Sequence, residues 1–330
     1  MDKNPLSFRH ETDLHQLLQE VKANPENTNK LRELVSLLIK EERYDDVLIY
    51  LSKLFELEPE SNDVLELLAE AYEKVGNLEE SIAAYTELVD RNPKNYHYWK
   101  KLGELFFKAG EYYKAIQAFE KHINYEEDSN IYLILSDLYR RLGNDIERWN
   151  MLQRALKLSP NSAEILVKIA QFYDEFGNTE RTIEYLNKAK RYAPENPNIW
   201  FLLGKAYREN NKKQLALDAF HRVILLDPDN AAAYFELGQI YSDLADVNNA
   251  ICFYEKCLEL DPSFDEASRA LAAIFWASGN YPKATKVLLA ALKFNKSYET
   301  YQMLGDIYED LGNRKKAQKY WALGKEMKNV

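Results

Sequence analysis

The chain has 330 residues, of which 46% are hydrophobic and 29% are charged, and its formal net charge is −10. This composition is typical of folded proteins and argues against intrinsic disorder and against a membrane protein. No apolar run approaches the roughly 18 residues that a membrane span requires. The acidic net charge argues against nucleic-acid binding, which normally needs a basic surface.

The first 27 residues are predicted to form a capping segment. The sequence MDKNPLSFRHETD at its start lacks the apolar core of a signal peptide and carries no lipidation motif, so we expect a cytoplasmic protein. Residues 10–24 are expected to form an amphipathic helix that covers the N-terminal end of the fold. His10-Glu11 and His15 do not form a zinc motif, because histidines at this spacing are separated by about 140° on a helix.

Beyond this segment, a proline recurs at a nearly constant interval. Successive prolines of the series are 34 residues apart, except for one step of 67 residues. The series is Pro25, Pro59, Pro93, Pro160, Pro194, Pro228 and Pro262. Proline ends helices because it lacks an N–H donor and crowds the preceding turn. A period of roughly 20 to 50 residues indicates an array of structural repeats.

Other residues recur with the same period. If Trp99 is position 4 of its repeat, the residues that follow it in the template are Leu102, Gly103, Phe106, Ala115 and Phe119. The same template fits from Trp200 and from Tyr234. These residues resemble the tetratricopeptide repeat, whose W-x-x-L-G-x-x-Y…A-x-x-x-F…P pattern they follow. The resemblance implies an all-α fold, a right-handed superhelical solenoid of antiparallel helix pairs.

The resemblance also implies where the repeats begin and end. It predicts nine tandem repeats after the capping segment of residues 1–27. Their ranges are 28–61, 62–95, 96–128, 129–162, 163–196, 197–230, 231–264, 265–297 and 298–330.

The template positions have physical roles. Positions 4, 7, 8 and 11 share one face of the first helix, and positions 20 and 24 share one face of the second. Small residues at positions 8 and 20 let the two helices approach, and glycine at position 15 accepts a left-handed turn. Arg148 departs from this template because it stands at the small position 20. Either the second helix packs there at a different angle, or the register slips by one in residues 145–150.

No motif for catalysis, for phosphate binding or for metal binding stands out, so we expect no enzyme, no cofactor and no metal site. Cys252 and Cys257 are five residues apart on one predicted helix and do not form a disulfide framework. We expect a reducing compartment, with both thiols in the core.

The candidate partner-binding residues lie on the opposite side of the first helices, at positions 2, 5, 9 and 12. Arrays that resemble this one usually bind their ligands on that concave face. Position 5 of repeats 4 to 7 is apolar, and basic residues lie beside it; the candidates are Leu133, Val167, Phe201, Phe235, Arg140, Lys205 and Arg208. Two interpretations remain open for the apolar row. It is either an exposed docking surface or packing against a neighbouring first helix.

The resemblance implies a non-catalytic scaffold or adaptor that binds a peptide or helical segment of a partner protein in its concave groove. The basic residues beside the row predict an apolar segment that carries acidic residues. The alternative is a regulatory or substrate-recognition subunit, or a chaperone, for a separate enzyme or secretion complex. The sequence leaves the oligomeric state open.

Overall fold

A computed structural model describes the backbone of residues 5–328 and the side chains of residues 14–327. Within this part of the chain every regular element is an α-helix, and no strand occurs. The helices fall into two compact bodies, Met1–Leu158 and Ser159–Val330, called here the N-terminal body and the C-terminal body.

The N-terminal body is a series of helical hairpins preceded by one helix. Its helices are α1 (Pro5–Ala23), α2 (Thr28–Lys40), α3 (Tyr44–Leu57), α4 (Asn62–Lys74), α5 (Leu78–Arg91), α6 (Tyr96–Lys108), α7 (Tyr112–Ile123), α8 (Ser129–Arg141) and α9 (Asp145–Leu158). Each helix packs against the next one along the chain. The pairs α2–α3, α4–α5, α6–α7 and α8–α9 are therefore antiparallel hairpins with short turns.

The C-terminal body follows the same plan. Its helices are α10 (Ala163–Glu175), α11 (Thr179–Tyr192), α12 (Pro197–Glu209), α13 (Lys213–Leu226), α14 (Ala231–Asp243), α15 (Val247–Leu260), α16 (Asp265–Ala277), α17 (Tyr281–Ala291), α18 (Tyr298–Asp310) and α19 (Arg314–Lys328). Consecutive helices again pack against each other. The predicted all-α repeat solenoid of helix pairs is confirmed, whereas the division into nine repeats stays a prediction.

A left-handed residue ends the first helix of each hairpin. Six glycines at position 15 have φ between 69° and 82°: Gly76, Gly110, Gly143, Gly177, Gly279 and Gly312. This is the conformation that glycine adopts without a Cβ penalty. Glu42, Asn211 and Ala245 adopt the same conformation at the equivalent position, with φ of 56°, 54° and 59°. The packing of the two helices therefore imposes this turn even where no glycine is present.

The small residues at position 8 lie directly under the aromatic residues at position 24. A Cβ added to Gly204 would lie 2.7 Å from the ring of Phe220, and one added to Gly103 would lie 2.7 Å from the ring of Phe119. Both rings are fully buried. This close approach explains why the template combines a glycine in the first helix with an aromatic residue in the second.

The register around Arg148 does not slip. Helix α9 begins at Asp145, which is position 17 of its repeat, and α7 and α11 begin at the same position with Tyr112 and Thr179. Arg148 remains at position 20 and is only 5% exposed. An arginine is thus accommodated at a position that is alanine in several other hairpins.

Helix α1 begins at Pro5 and ends at Ala23, so it is longer than the expected helix of residues 10–24. Its Leu14 and Val21 are buried in one cluster with Leu31 and Leu34 of α2, which attaches α1 to the first hairpin. The side chains of His10 and Glu11 lie outside the described residues, and His15 is exposed.

Two further expectations concern the cysteines and the membrane. Cys257 is buried as expected, but Cys252 is exposed, so the prediction that both lie in the core is wrong for Cys252. The two residues share α15, where their five-residue separation turns them to different sides. Among the described helices, none is both long and apolar enough to cross a membrane.

Candidate functional site

In the N-terminal body the first helices of consecutive hairpins form an open groove of about 420 Å³. We call it the first-helix groove. Its walls come from α2, α4 and α6, and its lining residues are Ile39, Tyr44, Leu67, Glu70, Ala71, Glu73, Lys74, Lys101 and Lys108. Most of the lining thus comes from positions 6, 9, 12 and 13 of their repeats.

Charges of both signs face each other in this groove. Lys108 of α6 forms an ion pair with Glu73 of α4. Burial raises the pKa of Glu70, and the nearby Glu66 carboxylate raises it further. Glu66 accepts a hydrogen bond of 3.1 Å from the hydroxyl of Tyr98. The groove therefore contains one carboxyl group, that of Glu70, whose charged form is disfavoured by its surroundings.

The C-terminal body has a smaller cleft on its first helices, between α10, α11 and α12. This cleft, of about 20 Å³, is lined by Gln171 and Asp174 of α10 and by Leu202 and Lys205 of α12, together with the buried Ala170, Thr182 and Leu186. Gln171, Asp174, Leu202 and Lys205 again stand at positions 6, 9 and 12. The same positions therefore line the exposed surface of the first helices in both bodies.

Position 5 has a different role, because it contacts the residue that begins the next hairpin. Arg32 donates a hydrogen bond to Ser61, and Lys100 donates one of 2.8 Å to Asp128. Ser61 and Asp128 are the N-cap residues of α4 and α8. Position 5 thus belongs to the packing between successive hairpins.

Two residues of the predicted apolar row are buried. Leu133 in the N-terminal body and Val167 in the C-terminal body are only 6% and 8% exposed. The expectation that they lie on an exposed surface is wrong, and the alternative, packing within the array, describes them.

The two phenylalanines of the row are half-buried. The ring of Phe201 lies edge-on to the buried Phe220, with 5.6 Å between the centroids. The ring of Phe235 lies 4.9 Å from that of Phe264, the N-cap residue of α16. Each ring therefore packs against another aromatic ring and is only partly exposed.

The predicted basic residues occupy positions 9 and 12. Arg140 is exposed in the last turn of α8, in the N-terminal body. Lys205 and Arg208 lie one turn apart on α12, in the C-terminal body, and are half-buried. The structure therefore places Lys205, Arg208 and Phe201 on α12 and Phe235 on α14, the first helices of two consecutive hairpins of one body.

The sequence analysis did not identify Glu236, a buried carboxylate beside the predicted basic residues. Glu236 is 8% exposed on α14 and forms an ion pair with Arg208 of α12. Burial raises the pKa of Glu236, whereas the charges of Arg208 and Lys205 act in the opposite direction. No local pattern could have revealed the pair, because its members lie 28 residues apart in neighbouring hairpins.

Comparison with known proteins agrees with this architecture. Tetratricopeptide repeat profiles match residues 66–130, 163–196, 231–264 and 298–322, and a TPR repeat profile matches residues 204–244. Together these ranges cover more than half of the chain. No curated protein sequence matches it.

Several solved structures are similar to the chain. The C-terminal part of a TPR repeat-containing protein from Cytophaga hutchinsonii has a TM-score of 0.60 and 18% identity, over 69% of this chain and 94% of that one. PilF of Pseudomonas aeruginosa has a TM-score of 0.52 and 17% identity, over 58% and 88% of the two chains. MamA is 29% identical over 50% of this chain and 90% of its own, with a TM-score of 0.46. The repeated residues, the hairpin geometry and the matching profiles together identify the chain as a member of the tetratricopeptide repeat family.

Proposed function

We propose that the chain is a non-catalytic scaffold that binds a peptide or helical segment of a partner protein along the exposed surface of its first helices. Membership of the tetratricopeptide repeat family indicates a role in protein–protein interaction. The observation that carries the proposal is the recurrence of lining residues at positions 6, 9 and 12 in both bodies. An elongated surface that repeats with the hairpins suits an elongated ligand.

The chemistry of the C-terminal body favours a partner segment with apolar and acidic side chains. Lys205 has no ion-pair partner among the described residues, so its ammonium group is available to a carboxylate of the partner. The half-exposed ring of Phe201 lies one turn before it on α12, and that of Phe235 lies on α14; both rings offer apolar contact. Arg208 adds positive charge, although Glu236 already neutralises part of it.

In the N-terminal body, Arg140 is an exposed cation of the proposed surface, as are Lys74 and Lys108 of the first-helix groove. Leu133 and Val167 support the helices that carry the surface residues, because they are buried. We place the scaffold in a reducing compartment such as the cytoplasm, since both cysteines are free.

Lys205 offers the cleanest test. The Lys205→Glu variant reverses a charge that has no ion-pair partner in the described structure, but it also removes a cation that lowers the pKa of Glu236. Arg208→Glu would in addition remove the ion-pair partner of that buried carboxylate. Lys325→Glu makes the same charge change at an exposed site on α19 and serves as the matched control. Affinity capture from the native lysate with each form, followed by mass spectrometry, identifies a partner that distinguishes them.

We expect a partner that the wild type and Lys325→Glu retain and that Lys205→Glu loses. A synthetic peptide from that partner should then bind less tightly as salt concentration rises, because the contact is charged. A partner that binds all three forms equally, or that binds only as a folded domain away from the first helices, would refute the proposal.

A further inference from the structure

Charge is sorted by helix in the last two hairpins of the C-terminal body. Residues 281–297 and 314–328, which contain the second helices α17 and α19, carry ten lysines and arginines and a single acidic residue, Glu326. Helix α18 lies between them in the chain and carries four acidic residues and no basic one. The second helices are therefore strongly basic in a protein whose net charge is −10.

The basic side chains are exposed and are not neutralised by neighbours. Six lysines define what we call the lysine surface: Lys283, Lys286, Lys293, Lys296, Lys315 and Lys319. None of the six forms an ion pair with another described residue. Lys283 instead lies 5.2 Å above the ring centroid of Phe275, a contact that leaves its charge uncompensated. The lysine surface is thus a site of unpaired positive charge.

The start of α19 departs from the usual charge preference of a helix. The first turn favours acidic side chains, because its unpaired N–H groups carry partial positive charge. Helix α3 follows this preference with Asp45 and Asp46. Helix α19 begins instead with Arg314, Lys315 and Lys316. A polar end cap would need solvated residues of either sign, so the capping role of α19 does not explain why they are basic.

The lysines of both second helices point away from the core. Lys283 and Lys286 lie one turn apart on α17 and are both exposed. Lys315 and Lys319 lie one turn apart on α19, on the side opposite the fully buried Ala317. Two consecutive hairpins therefore present the same charge on their second helices.

Exposed apolar side chains accompany these lysines. Phe294 follows Lys293 in the loop after α17 and is 62% exposed, and Leu289 of α17 is 37% exposed. Phe294 shares the lining of one open cavity of about 340 Å³ with Lys283 and Lys286, so the ring and the two ammonium groups lie on the same part of the surface. Glu255 of α15 is the acidic residue of that lining and marks the edge of the basic region.

The residue types favour a layer of anionic lipid headgroups over a nucleic acid. Nine of the ten basic residues are lysines, and Arg314 is the exception. Lysine is a flexible point charge, whereas the arginine fork suits bidentate recognition of phosphates and bases. Phe294 gains apolar contact at the boundary between headgroups and acyl chains, which a phosphate backbone does not offer.

We propose that the lysine surface adsorbs the protein to a membrane that contains anionic lipids. The lysines contact the headgroups, and Phe294 enters the headgroup layer beside them. The acidic remainder of the chain faces away from the membrane, where salt screens its repulsion beyond about 10 Å. The first helices take no part in this contact, so the inference is independent of the proposed scaffold function.

Sedimentation of the full-length protein with vesicles tests the proposal. The probes are vesicles of phosphatidylcholine and phosphatidylserine in equal parts, and vesicles of phosphatidylcholine alone. We expect binding to the anionic vesicles only, and weaker binding as salt concentration rises. Two double variants, Lys283→Glu with Lys286→Glu and Lys315→Glu with Lys319→Glu, should each weaken binding at least about tenfold. Phe294→Ala should weaken it mainly at high salt, where the charge contribution is screened.

A matched control separates the lysine surface from net charge. Lys94→Glu with Lys157→Glu makes the same change in net charge at two exposed sites of the N-terminal body and should bind as the wild type does. Far-UV circular dichroism checks that each variant is folded. If one double variant of the lysine surface does not fold, the other still tests the proposal, because the two pairs lie on different helices.

Several results would overturn the proposal. They are a wild type that does not bind the anionic vesicles, equal binding to both kinds of vesicle, and equal loss of binding in the control. Binding to double-stranded DNA that the two double variants abolish, without vesicle binding, would assign the surface to nucleic acid. An acidic protein that those variants lose from a lysate, again without vesicle binding, would assign it to a protein partner. The vesicle assay contains no partner protein, so its failure is distinct from failure of the scaffold function.

Discussion

Removal of Arg208 is expected to destabilise the C-terminal body through Glu236. The carboxylate of Glu236 is buried, and its ion pair with Arg208 links α12 to α14. Breaking a buried ion pair from one side costs about 3–5 kcal/mol, because the remaining charge is left unpaired. The side chain of Arg208 is 32% exposed, and Lys205 remains nearby, so solvent and the second cation compensate part of the loss. We therefore expect Arg208→Leu to lower the free energy of unfolding by about 2 kcal/mol.

The loss of stability in Arg208→Leu should depend on pH, because Glu236 titrates. Burial raises the pKa of Glu236, and loss of Arg208 should raise it further. The stability contributed by neutral Glu236 is fully present below the unfolded pKa of about 4.3 and is lost as pH rises through the folded pKa. The loss of unfolding free energy in Arg208→Leu, relative to the wild type, should therefore be smaller near pH 5 than near pH 8.

Urea unfolding followed by circular dichroism measures the stability of each variant, and hydrogen exchange of α12 and α14 localises the loss if the array unfolds in stages. Adding Glu236→Leu should restore most of the stability, because no charge then remains unpaired. Arg191→Leu, at an exposed site on α11, is the control and should change stability by less than about 0.5 kcal/mol. A deficit that is the same at both pH values, or that Glu236→Leu does not relieve, would refute this account of the pair.

Three further predictions concern the packing. Gly204→Ala should lower the free energy of unfolding by about 1–3 kcal/mol through overpacking, because its Cβ would lie 2.7 Å from the Phe220 ring. Gly177→Asn should change the free energy of unfolding little in the same urea titration, because asparagine tolerates a left-handed turn. Phe235→Ala should lower the free energy of unfolding by about 2 kcal/mol, because removal of a half-buried ring costs less stability than removal of a fully buried one. Leu225→Ala, at a 67% exposed site, should leave the free energy of unfolding nearly unchanged. Far-UV circular dichroism should show an almost entirely helical protein that unfolds broadly or in steps; sharp, coincident transitions by all probes would contradict this.

The sequence by itself determined the type of fold, because the periodic residues act locally. A glycine such as Gly177 at position 15 predicts a left-handed turn from its own backbone freedom, and the structure has that turn, with φ of 69°. The pairing of Gly204 with Phe220 is a contact within one hairpin, so a template of fixed spacing was enough to predict it. The family followed from the same residues.

Only the tertiary structure decided which residues reach the exposed surface of the first helices. Neighbouring positions on a helix differ by about 100° in direction, so the tilt between hairpins decides whether position 5 or position 6 faces outward. That tilt arises from contacts between residues about one repeat apart, such as Lys100 with Asp128 and Phe235 with Phe264. The sequence therefore identified the helix faces that pack within each hairpin. It did not predict the burial of Leu133 and Val167 or the pairing of Arg208 with Glu236, because these features depend on how successive hairpins pack against each other.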